Sequence, residues 1–351
     1  MGGKTMRYAV IGGGSGGKAV SAYLREMGHE VAIYCRDGGH AAALSRDGIT
    51  ATGAVEGRFP VSATDRLAQA VRGAGAVLVQ TLATGHAPVA QALRGLLEPG
   101  QIILIFNGSW GAAEFSAILG DEAREKNVRV CETSAQLFLC SSPEECSVHI
   151  KTIKKSVAMA CAAPAQTPGA LAELATVFPQ LTAGSNVLDT SLNSSNPVVH
   201  GPIALFNITR LENGEDYTLF GTALPRKTVD YIEKIDAERR AVIQAMGVEA
   251  VPVLDILNSF WPEKRDSVFS ALKDNPSYQV SRGPKTLAHR YLNEDMPYGL
   301  APIARLGRRY GVDTPYLDSL LRVLGLYLGR DYFQEGPAVE EMDLGPLISE
   351  L

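Results

Sequence analysis

The stretch "MRYAVIGGGSGGKAVSAYLREMGHEVAIYCRD", residues 6–37, constrains the fold more than any other part of the chain. Tyr8 to Ile11 is a short apolar run, as a strand buried on both faces requires. Gly12, Gly14 and Gly17 then satisfy the spacing GxGxxG. Ala19, Val20, Tyr23, Leu24 and Met27 follow at helical intervals, Gly28 sits where a helix would stop, and Val31 to Tyr34 forms a second apolar run. Strand, glycine turn, helix and strand in this order predict a dinucleotide-binding unit. Gly12 permits the tight turn, Gly14 lets backbone approach a pyrophosphate, and Gly17 lets helix and strand pack closely. The helix N-terminus offers N–H donors and the positive end of its dipole to the phosphates. The cofactor-binding residues expected from this loop are Gly12, Gly14, Ser15, Gly16 and Gly17.

The nucleotide type turns on the end of the second strand, where an acidic residue would hold the ribose hydroxyls of NAD(H). Cys35 occupies that position and Arg36 follows. Arg36 suits a 2′-phosphate and favours NADP(H), while Asp37, two residues after Cys35, leaves NAD(H) open.

The alternation of strand and helix continues. "GAVLVQTL", "GQIILIFNG" and "VRVCET" are candidate buried strands, the first two separated by a helical stretch from about His86 to Leu97. The fold class is therefore α/β, an N-terminal Rossmann doubly wound parallel sheet. Loops after such strands lie at the carboxyl edge of the sheet, around the cofactor. They bring Thr81 and Asn107 forward as cofactor contacts and His86 as a helix-start residue near the nicotinamide, facing substrate. The plain alternative for His86 is a helix-start histidine in solvent.

At 351 residues the chain is long enough for two domains. Hydrophobic residues at 46% and charged residues at 20% are the balance of a globular protein. The net charge of -5, with no lysine-arginine block, argues against nucleic acid as a partner. No apolar run reaches the roughly 18 residues that cross a bilayer. The N-terminus lacks the apolar core of a signal peptide. Five cysteines without CxxC spacing read as reduced thiols, and the expected location is the cytoplasm. Neither cysteines nor histidines cluster at metal-ligand spacing.

"SVAMACAA" reads as one more strand, and Pro168 to Phe178 as a helix. The character then changes. "RKTVDYIEKIDAERRAVIQAMG" carries Val229, Ile232, Ile235, Val242, Ile243 and Met246 at a helical period, and Gly247 stops it. Two further helices flank Gly311 to Pro315. No alternating strand pattern is visible, so the second domain is expected to be mostly α-helical. The expected division is 1–188 for the NAD(P)-binding domain and 189–351 for the substrate-binding, catalytic domain. The tail after Arg330 is acidic and contains proline, and is expected on the surface. A helical second domain also offers a dimer surface, so a homodimer is a candidate assembly.

"NSSNPVVHGP", residues 193–202, sets His200 between two prolines. On its own this histidine reads equally as a loop residue or a proton carrier. The wider sequence, however, resembles the octopine/nopaline-type opine dehydrogenases over nearly its whole length. The stretches that carry the resemblance are "IGGGSGGKA", "TGHAPVAQAL", "NGSWGAAEF", "LNSSNPVVHGP", "IEKIDAERRAVIQAMG" and "RYLNEDMPYGL". Two features depart from the pattern: "NGSW", where the family more often has a proline–glycine pair, and Cys35–Arg36.

The resemblance implies that an amino acid and a 2-oxo acid such as pyruvate condense, and that the imine is reduced by NAD(P)H. It implies His200 as the group that moves protons, a step for which a side chain titrating near neutrality is suited. It implies Asp295 as the carboxylate that orients the imidazole. Glu294 is the neighbouring alternative for that role, and a helix N-cap is the alternative role for Asp295. Arg290 is implied as the cation for a substrate carboxylate. Asn196, four residues before His200, is a candidate hydrogen-bond donor to substrate, with Asn193 and Asn207 as weaker versions. Two other readings stay open. One is a two-domain reductase of a single small carbonyl, of ketopantoate or glycerol-phosphate type, with Lys227 or Lys234 active. The other is a nucleotide sensor without chemistry.

Overall fold

The apolar runs of the first half become the centre of a single sheet. The structure, a computed structural model, describes residues 5–348. Twelve strands alternate with helices through the first half. They are β1 (Arg7–Ile11), β2 (Glu30–Tyr34), β3 (Ile49–Gly53), β4 (Gly57–Phe59), β5 (Ser62–Thr64) and β6 (Ala76–Val79), followed by β7 (Ile102–Ile105), β8 (Arg129–Thr133), β9 (Phe138–Ser141), β10 (Ser147–Ile153), β11 (Val157–Cys161) and β12 (Leu181–Ala183). The helices between them are α1 (Ser15–Glu26), α2 (Gly38–Asp47), α3 (Leu67–Val71), α4 (His86–Leu93), α5 (Gly111–Glu125) and α6 (Thr167–Leu174).

Eight strands form the main sheet in the order β12-β11-β8-β7-β6-β1-β2-β5. Every neighbouring pair is parallel except β11 and β8. β6 and β7 are buried throughout, as "AVLV" and "IILI" foretell. The strand order turns back at β1, which lies between β2 and β6, and such a switch point is where an open α/β sheet binds its ligand.

A second sheet, β4-β3-β10-β9, was not foreseen. β3 reads "ITATG" and β10 reads "SVHIKTI", each with some buried and some open positions. Half-exposed strands carry polar residues and lack the continuous apolar signal.

The expectation of five reduced cysteines is corrected for two of them. Cys131 and Cys161 are directly opposed partners on antiparallel β8 and β11, and form a disulfide. Their separation of 30 residues gives no local signal, and only the strand register brings them together. Cys35, Cys140 and Cys146 are free.

The chain separates into two compact units. One runs to Val187 and takes back the stretch from Pro346, and the other is Leu188–Gly345. The short return from Pro346 was not foreseen. The second unit is helical, as expected. Its helices are α7 (Val187–Leu192), α8 (Ser195–Phe206), α9 (Ile208–Glu212), α10 (Arg226–Ala245), α11 (Val253–Ser259), α12 (Val268–Lys273) and α13 (Pro276–Gln279). A π-helix, Tyr291–Leu300, then leads into α14 (Ala301–Tyr310) and α15 (Pro315–Leu328). Among the described residues its only β pairing is an isolated bridge between Thr218 and Arg282. The apolar stripe of α10 is buried at Val229, Ile232, Ile235, Val242 and Ile243.

Arg239, on the same helix, is fully buried and fully engaged. It binds Asp236 at 2.6 Å, Asn193 Oδ1 at 2.8 Å and the Leu192 carbonyl at 2.9 Å. These bonds anchor the chain just before α8.

The tail is not simply a surface segment. Tyr332, Val339 and Leu344 are buried. The Arg305 guanidinium donates to the carbonyls of Phe333, Glu335 and Pro337 and pairs with Glu340 at 2.8 Å. An arginine satisfying a run of backbone carbonyls holds an otherwise irregular strand of chain in place.

Candidate active site

The glycine turn has the shape a pyrophosphate needs. Gly12 has φ of +117°, open to glycine and strained for other residues. A Cβ on Gly17 would lie 1.8 Å from the Gly12 carbonyl oxygen, so α1 can approach β1 only without one. Gly14 is the N-cap of α1 and has open space around it, and no side chain caps the helix. The α1 amide donors therefore face a gap of the kind an anion fills.

Beside this turn is a cleft of about 480 Å³. Gly12, Arg36, Gln80 and Thr81 are among its lining residues. Gln80 Nε2 and Thr81 Oγ1 are buried without a hydrogen-bond partner. Buried polar atoms are normally paired, so these two suit a polar ligand. Thr81 was foreseen and Gln80 was not; its only signal is its position at the end of "VLVQ".

The residues after β2 separate into distinct roles. Cys35 is buried, and burial pushes its thiol up to about 11, so it is a neutral group in the packing. Asp37 caps α2, accepting the His40 N–H at 3.0 Å. That bond, with a second from the Gly39 N–H, holds its carboxyl below the usual range. Arg36 is exposed, lines the cleft and makes no ion pair among the described residues.

His86 does not reach the cleft. It begins α4, as expected, but it is fully buried, with its ring edge-on to Phe115 at 6.1 Å. Burial pushes it down to about 4, and neither ring nitrogen has a hydrogen-bond partner. Both its expected place beside substrate and the solvent alternative are corrected: it is a neutral ring in the core of the first unit. Asn107 is also buried. Its backbone N–H donates to Thr133 Oγ1 at 2.9 Å, in a loop where Asn107, Ser109 and Trp110 all have left-handed φ.

In the second unit, "SNPVVHGPIALF" is a helix rather than a loop. Pro197 falls in the first turn of α8, where a missing N–H costs nothing; Pro202 lies inside and removes one helical bond. Glycines let α8 and the π-helix come close. A Cβ on Gly299 would lie 2.3 Å from Pro197 Cγ, and one on Gly201 would lie 2.8 Å from Leu300 Cδ1. This approach brings His200 Nδ1 to 2.7 Å from Asp295 Oδ2, with both residues buried. The carboxylate accepts the Nδ1 proton, which leaves the lone pair on Nε2.

The two adjacent acids of "NED" take different partners: Asp295 binds His200, and Glu294 Oε2 lies 3.4 Å from Arg290 Nη1. Asp295 is not an N-cap, since it lies inside the π-helix. Arg290 is the N-cap of that helix, close enough to Asp295 for the carboxylate to act on its charge. Burial works to lower the pKa of Arg290, and Asp295 and Glu294 outweigh it, so the guanidinium stays charged.

Asn196 is one turn before His200 on α8 and half-buried. Asn193 and Asn207 have structural roles: Asn193 binds Asp189, Arg239 and backbone at Glu249 and Val251, and Asn207 donates to the carbonyls of Ile203 and Ala223. Lys227 is 94% exposed and 3.3 Å from Asp230, and Lys234 is exposed, so neither is built into a site.

Among the described residues no group of histidine, cysteine and acidic side chains could hold a metal, and no helix is long and apolar enough to cross a membrane.

The chain is similar to known proteins along most of its length. Residues 183–328 match the family of NAD/NADP octopine/nopaline dehydrogenase, alpha-helical domain, and residues 8–138 match that of ketopantoate reductase PanE/ApbA. The chain is 32% identical over 344 residues to an opine dehydrogenase of Arthrobacter sp. (strain 1C), covering 97% of this chain and 96% of that protein. Among solved structures, octopine dehydrogenase in complex with NADH and agmatine is similar at a TM-score of 0.74 and 20% identity, over 93% of this chain and 90% of that one. Yersinopine dehydrogenase with NADP+ bound is similar at a TM-score of 0.72 and 16% identity, over 93% of this chain and 94% of that one. The structural likenesses speak to fold. Sequence identity over nearly the whole length goes further: the chain belongs to the opine dehydrogenase family, NAD(P)-dependent oxidoreductases that act on CH–NH donors by opine-type reductive condensation.

Proposed function

We propose that the chain condenses an amino acid with a 2-oxo acid, pyruvate being the first candidate, using His200 as the proton carrier and NADPH in preference to NADH. The 2.7 Å contact between His200 and Asp295 carries the reading. The amine attacks a ketone only when deprotonated, and a neutral Nε2 takes that proton. As the amine attacks, its second proton passes to the former carbonyl oxygen to give the carbinolamine. The same nitrogen, now protonated, then returns its proton to that hydroxyl, which leaves as water and gives the protonated imine. Asp295 stabilises the imidazolium between these steps. Bound NADPH supplies the hydride that reduces the imine carbon. Arg290 holds a substrate carboxylate, displacing part of its interaction with Glu294, and Asn196 donates a hydrogen bond to substrate. The loop residues Gly12, Gly14, Ser15, Gly16 and Gly17 hold the pyrophosphate, with Thr81 and Asn107 beside the nucleotide and Arg36 on the 2′-phosphate. The domains divide the work as nucleotide binding before residue 188 and substrate chemistry after it.

A panel of amino acids, each with pyruvate and NADPH, tests this. The expected result is nucleotide oxidation that requires both substrates, with a new secondary-amine dicarboxylate seen by mass spectrometry. Oxidation that proceeds with the 2-oxo acid alone, whatever amine is added, would contradict it.

We also infer a homodimer and a cytoplasmic location. Phe206, Tyr316, Val323 and Tyr327 are exposed, and Tyr231 links Phe206 and Tyr316 through ring contacts of 5.3 and 5.4 Å. Exposed aromatic and aliphatic side chains grouped in this way suit a contact with a second copy. Light scattering at the monomer mass would refute the dimer. The cytoplasm supplies the reduced nucleotide the reaction consumes, and cell fractionation checks that location.

A further inference from the structure

Tyr291 opens the π-helix four residues before Asp295. Its ring stacks on the His200 imidazole, with centroids 3.9 Å apart and planes 21° from parallel. Asp295 meets the same imidazole at its edge, 2.7 Å from Nδ1. The two contacts restrain different motions. A hydrogen bond at Nδ1 does not by itself set the plane of the ring, because the χ2 torsion of histidine is broad and supplies little resistance. A ring lying flat against the imidazole removes the swing.

Tyr291 is itself held. The His289 ring meets it edge-on, with centroids 4.4 Å apart and planes at 83°. His289 Nδ1 accepts the Tyr291 backbone N–H at 3.3 Å, which leaves the proton of the neutral ring on Nε2. Burial pushes His289 down to about 4, and Arg290 and His200 push the same way. It is therefore a neutral support that does not compete as a base.

We propose that Tyr291 is a positioning residue for the His200 base: its ring fixes the plane of the imidazole so that Nε2 keeps one direction while Asp295 holds Nδ1. This rests on the reading of His200 as the proton carrier. The function belongs to the ring face and not to the hydroxyl, so phenylalanine replaces it and an aliphatic side chain does not.

The test compares Y291F, Y291L and Y291M with wild type and with H200N, by steady-state kinetics and by NMR of the imidazole protons. With six histidines in the chain, the signal missing from H200N identifies His200. The expected result is an upfield ring-current shift of the His200 carbon-bound protons in wild type and Y291F, lost in Y291L and Y291M. kcat should stay within about threefold in Y291F and fall about 10- to 100-fold in the two aliphatic variants, the scale of a slightly misplaced catalytic group. Nucleotide affinity should be unchanged in all three, which separates this from general unfolding. Wild-type kcat in Y291L or Y291M beside an inactive H200N overturns the positioning role alone. So does a loss in Y291F as large as in Y291L. An active H200N overturns the base itself, and the positioning role with it.

Discussion

Arg36 and Asp37 stand side by side after β2 with opposite charges, and local bonding separates them. Asp37 is engaged as the cap of α2, while Arg36 borders the cleft beside Gly12. On the proposed preference for NADPH an arginine there would bind the 2′-phosphate, so R36A should raise KM for NADPH by about 10- to 100-fold, the worth of one charge-assisted pair, and leave KM for NADH nearly unchanged. Equal effects on both nucleotides would remove Arg36 from the phosphate. At this scale the sequence was most readable where a residue type has one chemical use. The glycines of the turn are of this kind; His200 and Asp295 are not, and their meeting, at 2.7 Å, was implied only through the segments that resemble the family. His86 was not readable, because a histidine at a helix start looks the same whether its ring turns outward or into the core. Tyr291 was hidden too: it stands between Arg290 and Asp295 in sequence, but its contact with His200 exists only once α8 and the π-helix pack.

At the scale of elements, the π-winding of Tyr291–Leu300 was announced by no periodicity. Helix was expected near "MPYGLAPIARL", yet nothing in the residues distinguishes i→i+5 from i→i+4 bonding. The start of α5 is the second such element. Asn107, Ser109 and Trp110 hold left-handed φ there, where the family more often has proline and glycine. Such conformations persist only when surroundings impose them. Part of that restraint is Glu132 on β8, fully buried, which accepts the Ala112 N–H at 2.9 Å. Nearby Glu114 is pushed up from 4.5 to about 7, first by burial and then by Glu132. Between those values the folded chain holds more protons than the unfolded one, so stability falls as pH rises through that window. The contribution is up to about 3 kcal/mol. E114Q, which mimics the protonated form, should match wild type near pH 5 and exceed it near pH 8 in chemical denaturation. A difference that does not change with pH would show that Glu114 ionises normally.

For the whole molecule, the main sheet was readable because strands buried on both faces are nearly pure apolar runs, and the helical second half because long amphipathic helices such as α10 repeat their stripe. The second sheet was not, since its strands are short and partly open. The Cys131–Cys161 bond depends on strand register, and the buried tail depends on Arg305, thirty residues upstream of the carbonyls it holds; neither leaves a local mark. On the proposed function the two units would serve one reaction, the nucleotide turn lying in the first and the His200–Asp295 pair in the second. The most direct measurement is amine-dependent nucleotide oxidation by H200N, with its nucleotide affinity measured in parallel. kcat/KM should fall by about 10³-fold or more while nucleotide binding is retained, the loss typical of removing a proton carrier. Turnover within threefold of wild type would contradict the assignment of His200 and leave the chemistry to another group.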